Sequence, residues 1–484
     1  MLAKTNCNVA SLAPLGQPLE DKHILHLFRR AGFGTSFDTI QSHVGKTAEQ
    51  LATEIIDEAI NMPLTAEPEW AAWDNTFYPA DGDESRAIKR TQINEWKEAY
   101  VNDLRVNNLR DRLSFFWHNH FVTELREYDC PSYLHEYITL LQTHSVGNFR
   151  TFVYDIGINN AMLKYLNGDK SGKGNPNENY ARELYELFTL GEGIGYTEED
   201  IKETARALTG YVKRDEGCGP ILFNPNAFDT KTKTIFGLTG AWGYDDVIAI
   251  LFEQRPQEIA NFVCGKLYEF FVNPMQIPAI TQQLADTFIA NDFELAPVLA
   301  QLFSSEHFYD DEARGVIIKS HFDVFFNFCN ETGFQTTTDM VMDGENICRM
   351  IGQEMFNPVD VAGWQRDRDW IGPSTLIGRW KMLEFYIDET FGMDEDQFAN
   401  LALDIAGGPA NIDPEDITRK IVDWFLPFGF HTPDDYNIAI DIFKNRVPQN
   451  YFDDGSWNLL SPSVPGQVFD LLQHLIKQPE FQLK

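Results

Sequence analysis

Two short segments set polar side chains on otherwise apolar ground: FWHNHFVT at 116–123 and NPNENYARELYELFTLGEG at 175–193. An imidazole can exchange a proton near neutral pH or bind a metal through a neutral nitrogen. Glutamate and arginine add a base and a fixed cation. In helical register Leu113, Phe116, Trp117, His120 and Phe121 fall on one stripe, which turns His120 toward the apolar side. His118 lies two residues earlier, roughly 200° around such a helix, so it is expected to face solvent or a neighbouring lobe. His120 then either donates to a buried carbonyl or enters an internal site as a ligand or acid/base group.

In the second segment, Asn177 can cap a helix over 178–190 that Gly191 ends. Glu178 and Arg182 are four apart and can pair on one face. Glu183 borders the stripe formed by Tyr180, Leu184, Leu187 and Phe188, and a partly buried carboxylate needs a partner such as Arg182, Arg206, a histidine or a metal. His120, Glu183, Arg182 and His118 are therefore the candidate catalytic residues. The preceding NGDKSGKGNPN loop could hold an anion at a helix start, with Lys173, Asn177 and Glu178 as ligand-binding candidates. Its spacing is one residue short of a phosphate-binding P-loop, and Gly-Asn-Pro stands where Ser or Thr is required, which excludes a nucleotide hydrolase of that type. His120, His144 and Glu183 could meet across a helical bundle as ligands for a divalent or redox metal. The Glu-x-x-His pairs of such bundles are missing.

Positioning these residues requires helices. Apolar residues recur at helical spacing through most of the chain, with helices expected near 84–121, 132–141, 148–154, 178–190 and 197–211, then at 245–329 and from 374 onward. Thr197 to Asp200 reads as a capping box. The only strand signal is ILFNPNAFDTKTKTIFG at 221–237, where ILF and KTIF flank a turn-rich centre as in a hairpin or arm. The stretch 357–376 reads as a long loop, and its Trp364 and Trp370 are further ligand-binding candidates. The expected fold is mainly α and multi-helical. It comprises an N-terminal helical lobe (1–215), a β-arm (216–244) and a C-terminal helical lobe (245–484).

Bulk composition narrows the partners. The 484 residues include 37 Phe and 43% hydrophobic side chains, enough for a compact core. With 39 basic against 73 acidic residues the net charge is −34, a surface that repels phosphate backbones and anionic lipid, so no nucleic acid and no membrane partner is expected. A small-molecule or protein partner is left. No run of 18 apolar residues occurs. The six cysteines, at 7, 130, 218, 264, 329 and 348, show no paired spacing and read as scattered buried thiols. The opening residues lack the apolar core of a signal peptide, so the chain as given reads as cytoplasmic, with export implied only if a leader was removed.

HLFRRAGFG at 26–34, FWHNHFVT, MLKYLNGDKSGKGNPNENYARELYELFTLGEGIGYTEEDIKETARALTGY at 162–211, KTIFG, VCGKLYEFFV at 263–272, IGQEMFNPVDVAGW at 351–364, WIGPSTLIGRW at 370–380 and the terminal PEFQLK occur in order. By these the chain resembles the bacterial domain of unknown function 1800 family, nearly end to end. The resemblance matches the family pattern at His118, His120, His144, Asn177, Glu178, Asn179, Arg182, Glu183 and Glu186. It departs at Phe228-Asp229, where relatives carry His-Asp, and at Gln365-Arg366, where a Pro-Gly turn is usual. The resemblance assigns no reaction. Two functions stay open: an enzyme with an internal His/Glu/Arg site doing metal-assisted hydrolytic or oxidative chemistry, and a non-catalytic binding or assembly protein whose polar segments are structural networks.

Overall fold

A computed structural model describes residues 11–213 and 217–484; Cys7 lies outside them. Among the described residues the chain forms 23 α-helices and two two-stranded antiparallel hairpins, so the fold is mainly α. The helices are amphipathic pieces that bury one stripe each. Their buried side chains join into one contiguous apolar cluster from Leu12 to Phe481. Helices from both ends of the chain share it: Ala48–Asn61 packs on Leu295–Ser304, and Gly82–Val106 on Thr338–Met350. No described helix is long and apolar enough to cross a membrane.

Local chemistry sets most boundaries. The one or two helices expected over 84–121 are two, Gly82–Val106 and Asn108–His118, with Asn108 in the left-handed region at φ 44°. Thr197 and Asp200 form the expected capping box, each side chain accepting the other's backbone N–H. Thr338–Met350 is helical although the sequence suggested a loop there. Its buried stripe includes Gly344 and Glu345, the latter 3.6 Å from Lys97, and so carries a weak apolar period.

The two β-prone pieces are strands but do not pair with each other. Ile221–Phe223 pairs with Tyr211–Lys213, and Lys233–Ile235 pairs with Leu238–Gly240. The second hairpin turns through Phe236 and Gly237, both at positive φ, the backbone of a tight two-residue hairpin turn. That local turn outcompetes the longer closure between 223 and 233.

The reading of all cysteines as free thiols is corrected. Cys130 and Cys218 form a disulfide across 88 residues, tying the start of helix Pro131–Thr143 to the segment before Ile221–Phe223. Their separation in sequence matches no compact motif, so only chain folding brings them together. Cys264, Cys329 and Cys348 are free and buried.

Candidate functional site

Helix Asn108–His118 stops at the histidine pair. The N–H of Asn119 returns to Phe115 and Phe116, and that of His120 to Trp117, so His120 sits just past the last turn. Both imidazoles are consequently interior, His118 at 0% and His120 at 4% exposure; His118 does not face solvent, and its ring packs on Phe356 and Trp364 from the C-terminal half of the chain.

Their hydrogen bonds define their protonation. Tyr137 donates its hydroxyl proton to the Phe121 carbonyl at 2.7 Å, and His118 Nδ1 lies 3.0 Å from the same hydroxyl. The tyrosine oxygen must therefore accept from His118 Nδ1–H, leaving Nε2 bare and without a partner. Burial pushes the His118 pKa down to about 3, so the ring is neutral. His120 Nε2 lies 3.0 Å from the Phe188 carbonyl, which can only accept, so the proton is on Nε2 and Nδ1 is unpartnered. Burial holds His120 well below the usual value, and the Lys266 charge adds to this.

The second segment supplies that carbonyl. Helix Asn179–Glu183 widens into a π-helical stretch, Leu184–Thr189, and Phe188 C=O is one of the acceptors a helix end leaves over. Arg182 pairs with Glu178 at 3.6 Å as expected, and also with Glu186 at 3.1 Å and Glu198 at 2.8 Å. It forms no ion pair with Glu183, whose half-buried carboxyl is raised by burial and by Glu186, against the pull of Arg182. Arg206 is engaged by Glu203 and Asp229. Asn177 accepts from the N–H of Asn179 at 2.9 Å, one residue off the cap position, and Lys173 is exposed.

His120, His144 and Glu183 do not assemble as a ligand set. His144 Nε2 is held 2.8 Å from Asp155. Among the described residues no three His, Cys, Asp or Glu side chains converge on a metal position. The residues as placed thus do not fit the divalent or redox metal considered above.

His120 instead borders a cavity of about 230 Å³. One wall is Phe115, Phe116, Asn119 and His120; a second is Lys266, Glu269 and Phe270 of helix Pro256–Phe271; a third is the loop carrying Trp364, Arg366 and Trp370. Two of the ligand-binding candidates, Trp364 and Trp370, therefore meet the histidine segment, whereas Lys173, Asn177 and Glu178 do not line this space. Asn119 organises the junction, its Oδ1 accepting from the Trp364 N–H at 2.6 Å. Gly363, at φ 95°, permits this approach: a Cβ there would stand 2.3 Å from that oxygen.

The inner wall holds charges that sequence inspection missed. Asp323 Oδ1 lies 2.8 Å from both Arg112 Nη1 and Lys484 Nζ, and its Oδ2 accepts from the Ser320 N–H. Burial alone would raise the Asp323 carboxyl, but the two cations hold it well below the usual range. Arg112 is stacked between Phe33 and Phe270 at 4.4 and 4.5 Å. Arg30, fully buried, donates to the backbone oxygens of Ala313 and Lys484. Two cations thus pair with one buried carboxylate in a protein of net charge −34. A basic or acidic residue inside an apolar helical stretch, as in VCGKLYEFF or SHFD, was the available signal.

A mainly α-helical protein with an aromatic-walled cavity that carries charged side chains is the class this geometry defines. The family described as protein of unknown function, DUF1800, matches residues 26–483, and the chain belongs to it. No curated protein and no solved structure matches.

Proposed function

We propose that this chain is an enzyme that binds and transforms a small organic molecule in the cavity between His120, Lys266 and Trp364. The observation that carries this reading is the convergence of His120, Lys266, Glu269 and Arg366 on one concave space with aromatic walls. Pockets of this kind, apolar with a few convergent polar groups, are the usual form of small-molecule sites. At about 230 Å³ the space exceeds the roughly 150 Å³ cavity that admits benzene. Chemistry at Lys266 is better supported than the metal-assisted hydrolytic or oxidative form, because His120 Nε2 and His144 Nε2 are already committed. The Cys130–Cys218 disulfide supports an oxidising compartment over the cytoplasm.

The test is thermal-shift screening of small organic anions and neutral analogues, with product detection by NMR in the same mixtures. Stabilisation that Lys266→Ala and Trp364→Ala abolish, together with product, is the expected result. A second reading, a non-catalytic binding protein, is favoured by the Arg182 network, whose guanidinium is held by Glu178, Glu186 and Glu198 as a structural contact. A ligand bound and returned unchanged would select it.

A further inference from the structure

Lys266 is set apart from the other interior lysines. It lies on helix Pro256–Phe271, half-buried on the cavity wall, with its ammonium 4.8 Å from the centre of the Phe262 ring. Among the described residues no carboxylate lies within ion-pair distance of it. Glu269, three residues along the same helix, is engaged elsewhere: Oε1 accepts from Gln276 at 2.8 Å, and Oε2 lies 3.3 Å from Arg366. Lys484 also lines the cavity, but its Nζ is held by Asp323 at 2.8 Å. Lys319 is sealed at 1% exposure and lines no part of the space.

We propose that Lys266 is a nucleophilic amine that forms a Schiff base with a small oxo acid in this cavity. The inference rests on the cavity being the functional site. The neutral amine is the reactive form. Burial pushes the Lys266 pKa down to about 8, and the facing Arg366 cation adds to the effect, so a substantial neutral fraction exists near neutral pH. Arg366 makes a single contact to Glu269, and the other donors of its guanidinium are available to a substrate carboxylate.

The step balances without an external oxidant or reductant. The amine lone pair forms an N–C bond to the carbonyl carbon, and the C=O π pair moves to oxygen. A proton passes from nitrogen to that oxygen, with Glu269 the adjacent wall carboxylate able to relay it. The nitrogen lone pair then forms the C=N bond as the C–O bond breaks; the departing hydroxyl takes the second amine proton and leaves as water, giving the imine.

The experiment is reductive trapping of the full-length protein with glyoxylate and cyanoborohydride near pH 7.5, with peptide mass mapping. The expected result is a carboxymethyl addition on Lys266 that saturates with glyoxylate concentration, while Lys484 and Lys319 stay unmodified. Lys266→Arg, which keeps the cation, should lose that labelling. Modification spread over surface lysines in proportion to exposure, with Lys266 spared, overturns the inference. Thermal shift by glyoxylate without the reductant separates the two levels. Stabilisation without Lys266 labelling rejects the Schiff base and keeps the pocket. Neither stabilisation nor labelling rejects both.

Discussion

His120 Nε2 donates to the carbonyl oxygen of Phe188 at 3.0 Å, and this bond joins the two polar segments of the chain. It connects the end of one helix to the carbonyl left over at the end of another. It also settles the tautomer of a ring enclosed by Phe116, Trp117 and Phe121.

His120→Phe should therefore destabilise the protein although it keeps an aromatic ring in place. The substitution leaves the buried Phe188 carbonyl without its donor, a loss of about 1–3 kcal/mol. Urea denaturation of wild type and variant measures it. An unchanged midpoint would show that the bond adds nothing to stability.

Acid should weaken the fold through its buried histidines. His118 titrates at about 3 in the folded protein because burial disfavours its charged form. The unfolded chain takes up that proton near 6.5, so the unfolded state binds more protons as pH falls. The contribution is complete above about pH 6.5 and is lost progressively toward pH 3, at about 1.4 kcal/mol per pH unit for one such group. His321, also lowered to about 3, acts in the same window. Midpoints of urea unfolding between pH 7 and 4 should fall less steeply for His118→Phe than for wild type.

Asp323→Asn should be among the costliest single changes in the molecule. It removes the carboxylate that both Arg112 and Lys484 approach at 2.8 Å and leaves two buried cations facing each other. Breaking a buried pair by deleting one partner costs about 3–5 kcal/mol. Thermal unfolding checks this, and a loss below about 1 kcal/mol would mean that water or rearrangement already compensates the cations.

Non-reducing peptide mapping should recover Cys130 and Cys218 in one cross-linked fragment, with Cys264, Cys329 and Cys348 as thiols. The double variant Cys130→Ser/Cys218→Ser should lose about 2–4 kcal/mol, since the bridge restricts the unfolded chain over a long loop. Recovery of both residues as free thiols from protein expressed in an oxidising compartment would contradict the pairing.

Much of the fold was legible because helices are specified locally. The 3.6-residue period and the Thr197–Asp200 box both depend on neighbours a few residues apart. The same locality explains the pairing of Glu178 with Arg182. Thr338–Met350 escaped because Gly344 and Glu345 occupy its buried stripe, and the hairpins were mispaired because local turns decided their partners.

The site depended on contacts that no local pattern encodes. The sequence by itself determined that His120 is interior, that the polar residues cluster in two segments and that the architecture is helical. Only the tertiary structure decided that His120 lies beside Lys266 and Trp364 rather than in a ligand set with Glu183, that Asp323 receives Arg112 and Lys484, and that Cys130 reaches Cys218. These pairs are separated by 88 to more than 200 positions. Their meeting is set by how whole helices pack, which depends on the summed burial of many side chains and not on any one spacing.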